Sequence, residues 1–207
     1  HRTYYHPSNS YIYLYGNMDM EEKLAFLDEH YLSHFDYLDV DSVIQEQKAF
    51  GACQDVTLEY PVAENEGEED NTYLSYNMVV GNAADSQMAM AFEVLDYALL
   101  SAPGAPLKQA LLDVKAGKDV YGSYDDGILQ PYFTVIAKGS NPDRKEEFVS
   151  VIRQVLGDIV KNGIDKKAVE AGINYFEFRY READFSSYPK GLMYSLDILG
   201  DWLYEKG

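Results

Sequence analysis

The sequence predicts an α+β fold, in which helices pack on one face of a mixed or antiparallel sheet and form a two-layer sandwich. The first observation is the order of the predicted elements: strand, helix, two strands, two helices, two strands and three helices. The second is the composition, because 46% of the 207 residues are hydrophobic and 25% are charged, as in a folded protein with a sizeable core. The chain contains no internal repeat and is long enough for one sizeable core or two small ones. We expect residues 1–207 to form a single domain.

The amino-terminal segment predicts a strand and then a helix. Residues 11–15 alternate tyrosine with isoleucine and leucine, which is typical of a strand covered on both faces. Asp19 can cap a helix over residues 20–35, with Glu22 in the capping-box position. The apolar residues of this helix recur at helical spacing: Met20, Leu24, Leu27, Tyr31 and Phe35.

Two strands separated by an acidic loop are predicted next. The strands cover residues 54–61 and 72–81, and residues 64–71 form the loop between them. The loop is too rich in carboxylates to pack, and it lacks the order of acidic residues and glycine of an EF-hand calcium loop. We therefore expect a solvated hairpin loop.

The middle of the chain predicts two helices and two further strands. Asp85 or Ser86 is expected to cap the first helix, which ends at Pro103 and Gly104. A short second helix covers residues 107–115. The strands that follow, 120–124 and 132–137, are joined through a turn that starts Asp-Asp-Gly.

Three helices complete the predicted fold. Asn141 is expected to cap the longest of them, with Pro142 at its first position and Gly163 at its end. The next helix runs from Asp165 to about residue 181, and the last covers residues 189–205.

The helix after Asp85 carries the most informative stretch. In inverted zinc peptidases, His-x-x-Glu-His on one helix supplies two metal ligands and a general base. Glu93 and Tyr97 stand where the two histidines would be, and Asp96 stands where the base would be. No pair among these residues makes a usual catalytic zinc site. Glu93 and Asp96 could alternatively be a carboxylate pair for acid–base chemistry. The helix could also be simply amphipathic, because one stripe is apolar: Met88, Phe92, Leu95 and Leu99.

Three separate segments resemble the second domain of the insulinase and pitrilysin peptidases. Residues 4–19, which begin Tyr-Tyr-His-Pro-Ser-Asn-Ser, resemble its strand–turn–helix entry. Residues 99–107, Leu-Leu-Ser-Ala-Pro-Gly-Ala-Pro-Leu, are similar to the turn after the degenerate helix in the presequence-protease branch. Phe-Glu-Phe-Arg at 176–179 and Ser-Tyr-Pro-Lys-Gly-Leu at 187–192 resemble the segment that closes the domain.

The resemblance implies a non-catalytic domain, a fragment of a longer multidomain chain. In that family four homologous domains enclose a chamber in which peptides are cut, and the first domain holds the zinc. We therefore expect no catalytic, cofactor-binding or metal-binding residue in this chain, and zinc only in the absent catalytic domain. The expected partners are the catalytic and carboxy-terminal domains of the longer chain and a peptide substrate.

The remaining candidate residues predict no second site. His30 and His34 have metal-ligand spacing on the first predicted helix, but no third ligand is near them in sequence. His6 is expected to be a polar loop residue, and Cys53 has no nearby base to make it a nucleophile. One aromatic cluster suits either peptide binding or core packing: Tyr175, Phe176, Phe178 and Tyr180.

The negative charge of the chain either serves solubility alone or selects the molecules that the chain can bind. Thirty-five acidic and seventeen basic residues give a formal net charge of −18, which repels nucleic acids and anionic membranes and attracts basic peptides. The sequence has no run as long as a membrane span. A single cysteine fits a reducing compartment, and we expect a cytoplasmic location.

Three functions are compatible with these observations. The first is a non-catalytic domain of a zinc peptidase that walls the chamber and packs against the zinc-bearing domain. The second is an independent interaction protein, either the inactive partner subunit of a two-chain peptidase or an acidic peptide-binding module. The third is an enzyme with its own site, for which no nucleophile–base pair or metal triad stands out.

Overall fold

The computed structural model describes residues 1–63, 67–182 and 185–204. The chain divides into two compact units, Glu46–Ala183 and a smaller unit of His1–Gln45 with Asp184–Gly207. The helices are α1 (Met20–His30), α2 (Ser86–Asp96), α3 (Pro106–Asp113), α4 (Lys145–Asn162), α5 (Lys166–Glu182) and α6 (Lys190–Tyr204). That residues 1–207 form one domain stays a prediction.

The larger unit contains an antiparallel sheet of three strands. They are β1 (Thr72–Val79), β2 (Asp119–Asp125) and β3 (Tyr132–Ser140), in the order β1-β3-β2. One face is made of three rows in register: Leu74, Ala137 and Val120; Tyr76, Val135 and Gly122; Met78, Phe133 and Tyr124. The opposite face exposes tyrosines such as Tyr73 and Tyr121. The predicted α+β class is thus confirmed, with an antiparallel sheet.

The core of the larger unit lies between this first sheet face and the helices. Leu107 and Leu111 of α3 are fully buried, as are Phe148 and Ile152 of α4. They pack with the central side chains of the sheet in one hydrophobic cluster. Burial of these apolar side chains is the main force that holds helices and sheet together.

Local signals set the helix ends that the sequence predicts. The Asp19 carboxylate accepts a hydrogen bond from the Glu22 N–H at 3.1 Å, and the Asp85 carboxylate accepts one from the Met88 N–H at 3.0 Å. Gly163 has a φ of +86° and ends α4, as expected of a residue that tolerates the left-handed region.

The predicted strand over residues 11–15 is wrong, because these residues form no strand. The Tyr13 hydroxyl donates to the Gly191 carbonyl of α6 at 3.0 Å, and the Tyr15 ring lies where a Cβ on Gly191 would be. The Tyr11 hydroxyl donates to the Trp202 carbonyl at 3.4 Å. The tyrosines therefore pack along a helix, whereas a strand needs the backbone of a neighbouring strand.

The predicted strand over residues 54–61 is also wrong. The segment has no regular secondary structure and forms no ladder with β1, and Val56 and Leu58 are exposed. Its end nevertheless meets β1, because the Tyr60 ring lies edge-on to Tyr73 with centroids 5.9 Å apart and its hydroxyl donates to the Asn71 carbonyl. Side-chain contacts replace the predicted backbone pairing.

Two helix boundaries differ from the predictions. The helix over 20–35 stops at His30, because Tyr31 leaves helical geometry (φ −136°, ψ −64°) and a short 3₁₀ turn, Leu32–His34, follows. The long helix begins at Lys145 after a 3₁₀ turn. The Asn141 side chain caps neither this turn nor α4, because its amide is hydrogen-bonded to Asp70 instead.

The acidic loop lies partly outside the described residues, since 64–66 belong to the undescribed part of the chain, as do residues 205–207 at the predicted end of the last helix. Asp70, at the end of this loop, packs through hydrogen bonds and is not a freely solvated residue.

Among the described residues no helix is long and apolar enough to cross a membrane.

Candidate functional site

The degenerate motif lies on α2, at the point where this helix changes its winding. After Asp96 the chain continues as a five-residue π turn, Tyr97–Ser101, in which the Ala102 N–H donates to the Tyr97 carbonyl at 2.7 Å. Such turns insert an extra residue into a helix and are frequent at functional sites. Three residues of the turn are buried: Ala98, Leu99 and Leu100.

The two positions that would carry histidines face α5. The Glu93 carboxylate accepts a hydrogen bond from the Tyr180 hydroxyl at 3.1 Å. The Tyr97 ring stacks on Tyr175, with centroids 5.1 Å apart and planes 17° from parallel. Both side chains are therefore used in packing one helix against the other.

A glycine lets the two helices approach each other at this point. A Cβ on Gly172 of α5 would lie 3.2 Å from Tyr97 Cδ1 and 3.2 Å from Val94 Cγ1. Gly172 is itself buried. The space that a metal and its water would need next to these positions is thus filled by packed side chains.

Asp96, at the position of the base, faces the sheet. Its Oδ2 accepts a hydrogen bond from the Ser101 hydroxyl at 3.3 Å, and its Oδ1 is buried without a hydrogen-bond partner. A Cβ on Gly122 of β2 would lie 2.6 Å from that Oδ1. Burial raises the pKa of the Asp96 carboxyl, and the Ser101 hydrogen bond opposes the rise.

The residues of the degenerate motif do not fit a catalytic zinc ion. Glu93 is bound to a tyrosine, Tyr97 is stacked, and neither offers an imidazole. Asp96 has other partners than Glu93, so the structure gives no support to a carboxylate pair. Within residues 1–63, 67–182 and 185–204 no three His, Cys, Asp or Glu side chains form a group that could hold a metal.

The other candidate residues lie apart from this site. His30 ends α1 with its ring 4.6 Å from that of Phe26, and His34 follows in the 3₁₀ turn, so the two are not one turn apart on a single helix. His6 caps a short 3₁₀ turn by accepting the Ser8 N–H at 3.1 Å. Cys53 is free and exposed.

The aromatic cluster on α5 divides between packing and exposure. Tyr175 stacks on α2, and Phe176 is 9% exposed with its ring 5.1 Å from that of Tyr175. Phe178 is 64% exposed. Phe176 is therefore a core residue, whereas Tyr175 and Tyr180 remain 48% and 40% exposed despite their contacts with α2. The π turn and the close approach at Gly122 were not predicted, although a glycine inside a strand is a signal of such an approach.

Replacing Asp96 with asparagine is expected to stabilise the protein at neutral pH. The raised pKa means that ionised Asp96 opposes folding above that pKa; as the pH falls through it, the folded chain binds the proton first and this penalty disappears. The gain should be below about 1 kcal/mol, because the side chain is partly open to solvent. Urea unfolding at pH 7 and pH 4.5 measures it.

The control for this experiment is Asp158→Asn, at an exposed position on α4. The stability difference between Asp96→Asn and the unchanged chain should be larger at pH 7 than at pH 4.5, whereas the control should show little difference at either pH. An Asp96→Asn variant that is less stable at both values would show that the carboxylate makes a needed bond.

The family model for the Peptidase M16 inactive domain matches residues 1–176 of the chain. Protein HypA of Clostridium perfringens is 46% identical over 205 residues, which are 99% of this chain and 21% of that protein. Presequence protease 1, chloroplastic/mitochondrial, of Arabidopsis thaliana is 32% identical over 209 residues, which are 99% of this chain and 19% of that protein. The chain thus spans about a fifth of the length of these curated relatives.

A solved structure shares the fold. It is the inactive peptidase domain of a Bordetella parapertussis protein, with a TM-score of 0.51 and 12% sequence identity. The similarity covers 65% of this chain and 78% of that one. At this identity the comparison shows a shared fold.

Proposed function

The chain belongs to the Peptidase M16 inactive-domain family, and on this premise we propose that it is the second, non-catalytic domain of a longer zinc-dependent peptidase. It would wall the chamber in which peptides are degraded and pack against the zinc-bearing domain. Its partners would be the catalytic and carboxy-terminal domains of that longer chain and a peptide substrate. The presequence proteases among its relatives support a peptidase as the whole protein.

The state of the degenerate motif carries this proposal. Glu93 and Tyr97 replace the two histidines, and both are fixed in the contact between α2 and α5. A helix that keeps the place of the motif but uses its side chains for packing is suited to a structural role. The zinc, with the ligands and base that bind it, would therefore come from the catalytic domain.

The exposed face of the sheet supports the role of a chamber wall. The helices cover one face, while the other presents Tyr73 and Tyr121 together with polar side chains such as Ser75, Asn77 and Ser123. Tyrosine side chains combine apolar area with a hydrogen-bonding group, which suits contacts with extended peptides. The net charge of −18 would attract basic peptides to such a wall.

A cytoplasmic location is part of the same proposal. Cys53 is the single cysteine of the chain and is exposed as a free thiol. Free exposed thiols are typical of reducing compartments. Fractionation of cells that produce the longer protein would test the location.

The experiment that tests the proposed function compares this chain with the full-length protein. We expect the isolated chain to hold less than about 0.1 equivalent of zinc and to leave a basic fluorogenic peptide uncut, because the ligand set for a closed or catalytic site is missing. The full-length protein should bind about one equivalent and cleave the peptide until a chelator is added. Metal analysis and the cleavage assay are the measurements.

The outcomes separate this proposal from the alternatives. Stoichiometric zinc with chelator-sensitive cleavage by the isolated chain would contradict it. If activity appears only when the chain is mixed with a separately encoded zinc-bearing polypeptide, the chain is the inactive partner subunit of a two-chain peptidase.

A further inference from the structure

A cavity of about 510 Å³ lies at one end of the exposed sheet face, away from the degenerate motif. The side chains that matter for its chemistry are Tyr60, Asp70, Tyr73, Lys118, Asp119 and Lys138. Neither the family comparison nor the degenerate motif assigns a role to these residues. They combine cations with aromatic rings in a chain that is otherwise strongly acidic.

The floor of the cavity is one row of the sheet. Tyr73 of β1, Lys138 of β3 and Asp119 of β2 are paired in register across the three strands. The Lys138 ammonium lies 5.9 Å from the centroid of the Tyr73 ring, a cation–π distance. Tyr60 adds a second ring, edge-on to Tyr73. The Lys138 cation thus lies beside the Tyr73 ring, which in turn contacts the Tyr60 ring.

The wall of the cavity is fixed by Asp70. Its carboxylate accepts a hydrogen bond from the Asn141 amide at 2.7 Å, and its own N–H donates to the Asn141 oxygen at 2.8 Å. The other oxygen of the carboxylate holds the Lys118 ammonium at 3.3 Å. The Lys118 side chain crosses Gly139, where a Cβ would lie 3.0 Å from it. Lys118 is thus paired with Asp70, while its side chain remains 69% exposed.

The described lining of the cavity carries two lysines, Lys118 and Lys138, and two aspartates, Asp70 and Asp119. Hydrogen bonds from Asn141 and Lys118 lower the pKa of Asp70, and one from Lys108 lowers that of Asp119, so both carboxyls are ionised. Asp119 is paired with Lys108 at 3.2 Å and Asp70 with Lys118. Among the described residues Lys138 forms no salt bridge, although its charge contributes to the lowered pKa of Asp119. Lys138 is therefore the lysine of the described lining that can receive a carboxylate.

We propose that this cavity binds a peptide carboxylate that lies beside an aromatic side chain. Lys138 receives the carboxylate, and the rings of Tyr60 and Tyr73 contact the ligand's ring. The carboxylate can be the carboxy-terminus of a peptide or the side chain of an acidic residue, since both present the same group. This site stands on its own geometry, so its test does not depend on the chain walling a chamber.

Titration with three small probes, followed by ¹H–¹⁵N NMR at constant ionic strength, tests the proposal. The probes are N-acetyl-tyrosine, N-acetyl-tyrosine amide and N-acetyl-glutamyl-tyrosine amide, which carry a terminal carboxylate, no carboxylate and a side-chain carboxylate. We expect N-acetyl-tyrosine to bind with a Kd of about 1 mM and the amide at least about fivefold more weakly. The third probe shows which source of carboxylate the cavity accepts.

Variants at one position make the test specific. Lys138→Gln should weaken binding of N-acetyl-tyrosine at least about fivefold, while Lys138→Arg should retain it because the charge is kept. Lys161→Gln, which removes an exposed lysine at the end of α4, is the matched control and should bind as the unchanged chain does. Spectra without probe show that each variant is folded.

The proposal is overturned by any of three results. The first is no saturable shift with either carboxylate probe. The second is equal affinity for N-acetyl-tyrosine and its amide. The third is unchanged affinity in a folded Lys138→Gln variant.

Discussion

Replacing Gly122 with alanine is expected to lower the free energy of unfolding of the larger unit by about 2–3 kcal/mol. The new Cβ would lie 2.2 Å from Leu100 Cδ1, 2.6 Å from Asp96 Oδ1 and 3.0 Å from the Thr134 carbonyl oxygen. Leu100 is 1% exposed and cannot move away without disturbing the core. Urea unfolding followed by far-UV circular dichroism measures the loss.

The matched control is Gly157→Ala, at an exposed position in the interior of α4 where nothing lies within 4 Å of the new Cβ. Alanine favours a helix over glycine by about 0.8–1 kcal/mol, so this variant should be more stable than the unchanged chain. The same substitution thus has opposite signs at the two sites. A Gly122→Ala variant as stable as the unchanged chain would contradict the close contact between the π turn and β2.

The elements that could be predicted are those whose signals are local. Asp85 caps α2 and Gly163 ends α4 because each needs only its own turn of backbone. The strands β1 and β3 could also be predicted, because each has the apolar pattern of a strand. In the structure the two strands pair with each other. Their predicted lengths differ from the observed ones by a few residues at the ends.

The elements that could not be predicted depend on partners distant in sequence. Residues 11–15 have strong strand propensity, yet their tyrosines contact α6, about 180 residues later in the chain. Asparagine is a residue type that favours helix caps, yet the Asn141 side-chain amide donates its hydrogen bond to Asp70 instead. Propensity states what a backbone prefers, whereas the choice among partners is made by tertiary contacts.

The candidate site shows the same division between motif and contact. The sequence indicates that Glu93, Asp96 and Tyr97 do not make a catalytic zinc site of the usual kind, because two histidines of the motif are missing. It does not show that Glu93 and Tyr97 contact tyrosines of α5, about 80 residues away, or that Asp96 is buried against β2. The lack of the zinc motif on α2 could therefore be predicted from the sequence. The packing role of Glu93 and Tyr97 became visible only in the three-dimensional structure.

Replacing Phe148 with alanine is expected to give the largest loss of stability, about 3–5 kcal/mol. Phe148 begins the apolar stripe of α4 and is 1% exposed, so its removal loses buried apolar area and leaves a cavity. Far-UV circular dichroism during urea unfolding is again the measurement. The single tryptophan, Trp202, belongs to the smaller unit, so its fluorescence follows that unit instead.

Val160→Ala is the control for Phe148→Ala, since Val160 lies on the same helix but is 87% exposed. Its replacement removes little buried area and slightly favours the helix, so stability should stay within about 0.5 kcal/mol. If Phe148→Ala were as mild as this control, α4 would not be packed on the sheet through that residue. Because α3 and β1 share the hydrophobic cluster with Phe148, a loss of about 3–5 kcal/mol would instead support the packing of α4 against both.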